Sequence, residues 1–364
     1  MNFAENNRIS HRQLRRQIQL ALAGPFLLCL VGNQGIFGLS GLAGTVVNLL
    51  ILGIYTIFLI RLSDSYTDLV KTFGSFRGRM AGLLYVAYTI LTASYLLWVI
   101  GKVVPESLLL GVPAWMVSLL AALVTSLGSH MGMQKRGRMA EVTCGIVLGG
   151  VLLLLVLGAF QGSADYLKEI TAPDAFSWKE TGRQTYYVFA GFFGLSLLPF
   201  LLKDVERPQS AGRAVFFSIA LLDFILGAAL LILPAVFGWD RMMAETYPIL
   251  PMLAGANLPG DVLSRFDVIW LAFLLYSLLF AVGSMFYYGN RILESAHLFS
   301  GRFWMWILAW ILSLEGIWGW NMGEVYFPAL LYGFVPLGLL SQVAAGFLYK
   351  RRRTKKREKT GESI

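Results

Sequence analysis

The chain has 364 residues, 57 % of them hydrophobic and 14 % charged, with a net charge of +9. That balance lies outside the range of soluble globular domains. Apolar runs of about 20 residues recur from end to end, continuous rather than alternating, so the pattern excludes an outer-membrane barrel and marks an all-α integral membrane protein.

In chain order, ten spans are expected, at roughly 17–38, 41–61, 80–101, 112–128, 140–160, 184–202, 213–237, 265–289, 303–320 and 325–349. A polar lead-in (1–16) precedes them, and a basic tail (350–364) follows the ten-helix domain (17–349). With the N-terminus in the cytoplasm, only Lys102, Lys168, Lys179, Arg183, Arg241 and Arg265 fall outside, against all the other basic residues inside. This asymmetry orients both termini to the cytoplasm and supports the even count of spans. The lead-in has no small-residue cleavage site, so no removable signal peptide is expected. The tail "KRRRTKKREK" directly follows a span, where it reads as an orientation signal and a clamp on anionic lipid rather than a nucleic-acid patch.

The chemistry of catalysis is sparse. His11, His130 and His297 fall in separate loops, and Cys29 and Cys144 inside spans, so no metal-ligand spacing and no cofactor are expected. There is no G-x-x-x-x-G-K-[ST] stretch to cradle phosphate, and no loop is long enough for a soluble catalytic domain. The chain does not read as an enzyme.

Two spans carry helix-breaking residues. The first reads "QLALAGPFLLCLVGNQG", with Gly24, Pro25, Gly32 and Gly35; the sixth reads "QTYYVFAGFFGLSLLPFLL", with Gly191, Gly194 and Pro199. At 1.5 Å per residue Gly24 lies roughly 10 Å into the apolar core and Gly32 roughly 22 Å. Gly191 and Pro199 lie at similar depths, but their span starts from the opposite side. Five spans and five spans, each set led by a broken helix, is the pattern of an inverted repeat with halves near 17–160 and 184–349. Such architectures put the substrate site at the midplane, between half-helix ends. Freed carbonyls suit an ammonium or cation, freed N–H groups a carboxylate, and a zwitterionic amino acid presents both.

The candidate ligand residues are therefore Gly24, Pro25, Cys29 and Gly32 in the first span, with Tyr187, Gly191, Phe192, Gly194 and Ser196 in the sixth. In the third span Tyr85, Tyr88, Thr92 and Tyr95 advance by three or four residues and share a face suited to a cavity wall. Tyr88 and Thr92 are the preferred pair on it. In the eighth, Tyr276, Ser277 and Ser284 are weaker candidates, with Ser284 a possible cation ligand. Ionisable residues inside lipid are functional suspects by default; Asp223 and Glu315 are candidates for proton transfer or gating.

The start "ISHRQL", the broken first span and the block "YPILPMLAGANLPGDVLSRFDVIWLAFLL" (247–275) together resemble the spore germination permeases, the B-type membrane subunits of nutrient germinant receptors. The pattern is a Tyr-Pro pair, a short apolar stretch, then Arg-x-Asp leading into the eighth span with a Trp just inside. Here these are Tyr247, Pro248, Arg265, Asp267 and Trp270, with Ser264 where the family often has Glu. The resemblance implies the amino acid–polyamine–organocation superfamily and its LeuT-like five-plus-five fold. It also implies an A-type subunit and a lipoprotein C-type subunit as partners in the spore inner membrane of an endospore-forming bacterium. Three functions stay open: a subunit that senses a small nutrient, an autonomous proton- or sodium-coupled amino acid transporter, and a gated conduit for water or ions.

Overall fold

The computed structural model describes residues 8–30, 38–170, 176–255, 266–298, 304–315 and 321–360. Among these the chain is helical without a strand, an isolated bridge joining Ile9 to Val205. The principal helices are α1 (His11–Pro25), α2 (Gly38–Tyr66), α3 (Ser75–Ser107), α4 (Ala114–Ser129), α5 (Gly132–Gln161), α6 (Trp178–Gly191), α7 (Ala211–Phe237), α8 (Phe266–Ser295), α9 (Trp304–Leu312), α10 (Met322–Pro328) and α11 (Val335–Thr360). α1 begins with a capping box, in which Ser10 Oγ accepts from the Gln13 N–H and the Gln13 side chain accepts from the Ser10 N–H.

Among the described residues seven helical segments are long and apolar enough to cross a membrane: 38–66, 75–107, 132–161, 178–204, 208–237, 268–295 and 322–348. α4 is apolar but shorter. The helices in the first and ninth expected spans are also short among the described residues. Successive helices run in opposite directions. At the N-terminal end of the bundle the Ile9 N–H donates to Asp204 O (2.8 Å). At the opposite end the Ser177 N–H donates to Ser40 Oγ (3.1 Å), and Trp310 Nε1 to Trp115 O (3.3 Å).

α2 shows the sidedness that lipid imposes. Val46, Leu50, Ile54 and Ile57 are exposed, whereas Thr45, Asn48, Tyr55 and Thr56 are buried. Polar groups turn inward because the solvent here is hydrocarbon, and apolar side chains cover the outside. α3 and the 178–204 segment bury 78 % of their apolar stretch against 39 % for α2, which makes them the inner scaffold of the bundle.

The contact between α1 and α8 is built around Gly24. A Cβ there would lie 2.8 Å from Leu274 O, Ser277 Cβ and Ser277 Oγ, so the two helices approach closely only with glycine. Ser277 Oγ accepts from the Gly24 N–H (2.7 Å) and donates to Leu20 O (2.5 Å). A hydroxyl of α8 thus bridges the donor and acceptor of one helical turn of α1, just before Pro25.

At the N-terminal end, Asp68 caps the short helix Leu69–Phe73. Its carboxylate accepts from the Lys71 N–H (2.9 Å) and meets Lys71 Nζ (3.1 Å) and His297 Nε2 (3.2 Å). Burial pushes this carboxyl upward, but the hydrogen bonds from Lys71 and His297 outweigh it and hold the group at about 2.

Two predictions follow from these contacts. Gly24→Ala separates α1 from α8 and lowers stability by about 1–3 kcal/mol, whereas Ser277→Ala costs about 0.5–1.5 kcal/mol; thermal unfolding of the detergent-solubilised chain measures both. For Asp68, an acid depressed in the folded state stabilises above its unfolded value, near 4, and that contribution vanishes as pH falls through about 2. The stability gap between wild type and Asp68→Asn should therefore be full at pH 5 and closed near pH 2, as read from unfolding midpoints across that range.

Candidate functional site

Pro25 has no N–H to donate back to Ala21, and the chain after it winds as a π-helix over Phe26–Leu30. In the sixth segment α6 ends at Gly191, and Phe192–Leu197 forms a 3₁₀ stretch ahead of Pro199. α10 ends at Pro328, followed by a second π-helical segment, Ala329–Phe334. Each departure from α geometry abuts or immediately precedes a proline, and short π segments are a common feature of functional sites. The Tyr186 hydroxyl donates to Leu331 O (2.5 Å), so a carbonyl of the second π segment finds its partner on α6.

The three irregular segments meet. Phe26 and Phe192 pack edge to face, centroids 4.4 Å apart. A Cβ at Gly191 would lie 2.5 Å from Leu30 Cδ1, so glycine permits the sixth segment to lie against the first π turn. Between them is a cavity of about 50 Å³. Pro25, Cys29 and Leu30 line it from the first segment, Tyr88, Thr92 and Tyr95 from α3, and Gly191 and Gly194 from the sixth. Ala281 and Met285 of α8 and Tyr326, Phe327 and Leu330 complete the wall, with no charged side chain in it. Thr92 Oγ1 and the Tyr326 hydroxyl are 3.4 Å apart.

Above the cavity, toward the end of the bundle opposite the N-terminus, lies a larger vestibule of about 680 Å³. Cys29 and Tyr95 belong to both walls and form part of the partition. The Tyr95 ring stacks on Tyr326 at 4.2 Å and 4°, and on Trp98 at 5.8 Å and 26°. Trp98 Nε1 donates to Glu315 Oε1 (2.6 Å), and Lys102 Nζ meets the same oxygen at 3.3 Å. Glu106, Glu245 and Glu324 line the vestibule against Lys102 alone, giving it a negative potential.

Of the residues expected from the sequence, Pro25, Cys29, Tyr88, Thr92, Gly191 and Gly194 converge on this cavity. Four do not. Gly24, expected to offer backbone atoms to a ligand, gives its N–H to Ser277 and packs against α8. Phe192 is fully buried against Phe26. Tyr187 lies outside the wall with the Arg183 guanidinium over its ring. Ser196 is buried with an unpartnered hydroxyl away from the wall. Gly32 and Arg265 lie outside the described residues, and Asp267 is the second residue of α8. On α3, Tyr85 turns to Ser341 Oγ (2.9 Å) and Tyr66 instead of the cavity. Ser284 donates to Phe280 O and accepts from the buried Arg136 guanidinium (2.6 Å). Glu315 is held by Trp98 and Lys102 in the vestibule region. Asp223 is buried at the α2–α7 contact, away from the cavity.

The α10 contribution was missed, although Pro328 inside the final apolar run is the same signal that marked the first and sixth spans. Tyr326 and Phe327, immediately before it, are the side chains that signal would have found.

The fold has a solved counterpart. A Na⁺-coupled sialic acid symporter, in its substrate-bound outward-open state, matches with a TM-score of 0.61 over 95 % of this chain and 76 % of that one. At 12 % identity the likeness is one of fold alone. No curated protein matches the sequence. Residues 40–314, well over half of the chain, match the family described as spore germination protein. With seven membrane-length apolar helices among the described residues and this match over well over half of its length, the chain belongs to the spore germination protein family.

Proposed function

We propose that this permease is the membrane subunit of a spore nutrient-germinant receptor and binds a small neutral amino acid in the central cavity. The observation that carries the reading is the pairing of a small, uncharged cavity with an acidic vestibule above it. Three glutamates draw an ammonium group toward the partition. The cavity then accepts only a short side chain, and irregular backbone of the first and sixth segments flanks it. Tyr95 and Tyr326 close over the ligand, with Thr92 between them and the interior.

In this reading ten spans form an inverted five-plus-five repeat, with the vestibule facing outward and both termini in the cytoplasm. The chain sits in the spore inner membrane beside A-type and lipoprotein C-type subunits, its basic tail against anionic lipid. The likeness to a symporter also supports a second reading, autonomous transport, in which the same cavity carries the ligand across.

Gly194 is the position that tests the site. A Cβ there would find its nearest neighbour at 3.7 Å, so a larger side chain enters the cavity without backbone conflict. Gly194→Val should leave insertion and unfolding temperature near wild type, yet weaken amino acid binding by about tenfold or more, equivalent to about 1.4 kcal/mol. Isothermal titration of the solubilised chain and spore germination assays read the two effects; undiminished binding would move the site elsewhere. In vesicles holding this chain alone, the receptor reading expects no gradient-driven accumulation of amino acid, and robust accumulation would replace it with transport.

A further inference from the structure

α2 and α7 run antiparallel and in contact, and each buries a polar side chain at the interface. Asn48 is 0 % exposed and Asp223 6 %. They stand against one another, the Asn48 amide being the group nearest to hydrogen-bonding the carboxylate, yet no atom pair of the two reaches full bonding distance and geometry. One turn away, Thr45 is 4 % exposed and donates its hydroxyl proton to Leu42 O (2.8 Å), which leaves its oxygen lone pairs available. A Cβ on Gly227, one turn along α7 from Asp223, would lie 3.9 Å from Thr45 Oγ1, which sets the two helices close together at this level. None of the three side chains lines the central cavity or the vestibule.

Four unsatisfied polar atoms inside a lipid-embedded bundle are costly, and an unpaired carboxylate is the costliest of them. The available donors are a carboxylate, an amide carbonyl and a hydroxyl, all hard oxygens of the kind that ligate hard cations. One carboxylate neutralises one positive charge, whereas a divalent ion would leave a net charge buried in low dielectric. We propose that Asp223, Asn48 and Thr45 form a site between α2 and α7 for a small hard monovalent cation, sodium, matched to their oxygen donors. The site is separate from the amino acid cavity and does not depend on what that cavity binds. It has a structural route to the cavity, because α6 packs closely on α2 at Gly44, next to Thr45, where a Cβ would lie 3.1 Å from Thr185 N, and α6 continues into the 3₁₀ stretch.

The test uses the purified full-length chain in detergent, with sodium alone as probe. Retention of radioactive sodium should saturate, be displaced by unlabelled sodium chloride and resist choline chloride at the same ionic strength. It should fall to background in Asp223→Asn and Asn48→Leu, with Asp223→Glu retaining weaker binding. Sodium should also raise the unfolding temperature of wild type, more than potassium does, and leave that of Asp223→Asn unchanged. Absence of saturable retention by the wild-type chain overturns the proposal, a result that needs no variant to fold. So does a sodium shift that survives in Asp223→Asn, or a stability that follows pH identically in sodium and choline, since a proton would then be the occupant.

Discussion

A backbone group that leaves its helix inside a bilayer must find another partner within the protein, because hydrocarbon offers none. Among the described residues Pro105 and Pro234 also stand inside helices, but it is beside Pro25, Pro199 and Pro328 that the backbone leaves α geometry around the cavity. The Ser277 hydroxyl bridges Leu20 O and the Gly24 N–H beside the first proline. The Tyr186 hydroxyl takes a carbonyl of the π segment after the third. Those polar tethers join α1 to α8 and α6 to the final segment. These hydroxyls engage backbone groups beside the interruptions and tie the helices around the cavity to one another.

Around this frame the side chains divide by depth. The cavity has aromatic, aliphatic and hydroxyl walls without formal charge, and the vestibule carries the glutamates. Charge is placed where water reaches it and screening limits its cost. Among the described residues two residues of charged type are buried, Arg136 and Asp223, and they are managed differently. Arg136 gives hydrogen bonds to Ser284 and Phe280 O and lies over the Phe280 ring at 4.7 Å. Asp223 has only the Asn48 amide beside it, short of full bonding geometry, and that contrast is what singles it out.

Much of this was legible from residue order. Composition and continuous apolar runs identify the helical membrane class, and Gly and Pro inside the first and sixth runs mark two of the three irregular segments. Helical spacing puts Tyr85, Tyr88, Thr92 and Tyr95 on one face of α3, of which Tyr88, Thr92 and Tyr95 line the cavity and Tyr85 turns to Ser341 and Tyr66. What spacing leaves open is rotation about the helix axis. Gly24 and Pro25 are adjacent, yet Pro25 lines the cavity and Gly24 packs on α8. Similarly, Phe192 is consumed in packing, while Gly191 and Gly194 on either side reach the wall. Side-chain partners across helices, such as Arg136 with Ser284, are separated by 148 positions in sequence and leave no local trace.

Cys29 stands in the walls of both chambers and is 6 % exposed. Cys144, the other cysteine of the chain, is fully buried on α5. A thiol in the partition stands beside the stacked rings of Tyr95 and Tyr326, on the boundary between vestibule and cavity. The native sequence thus places a soft, reactive sulfur at the boundary of the two compartments, where a thiol reagent would read that boundary without an introduced residue.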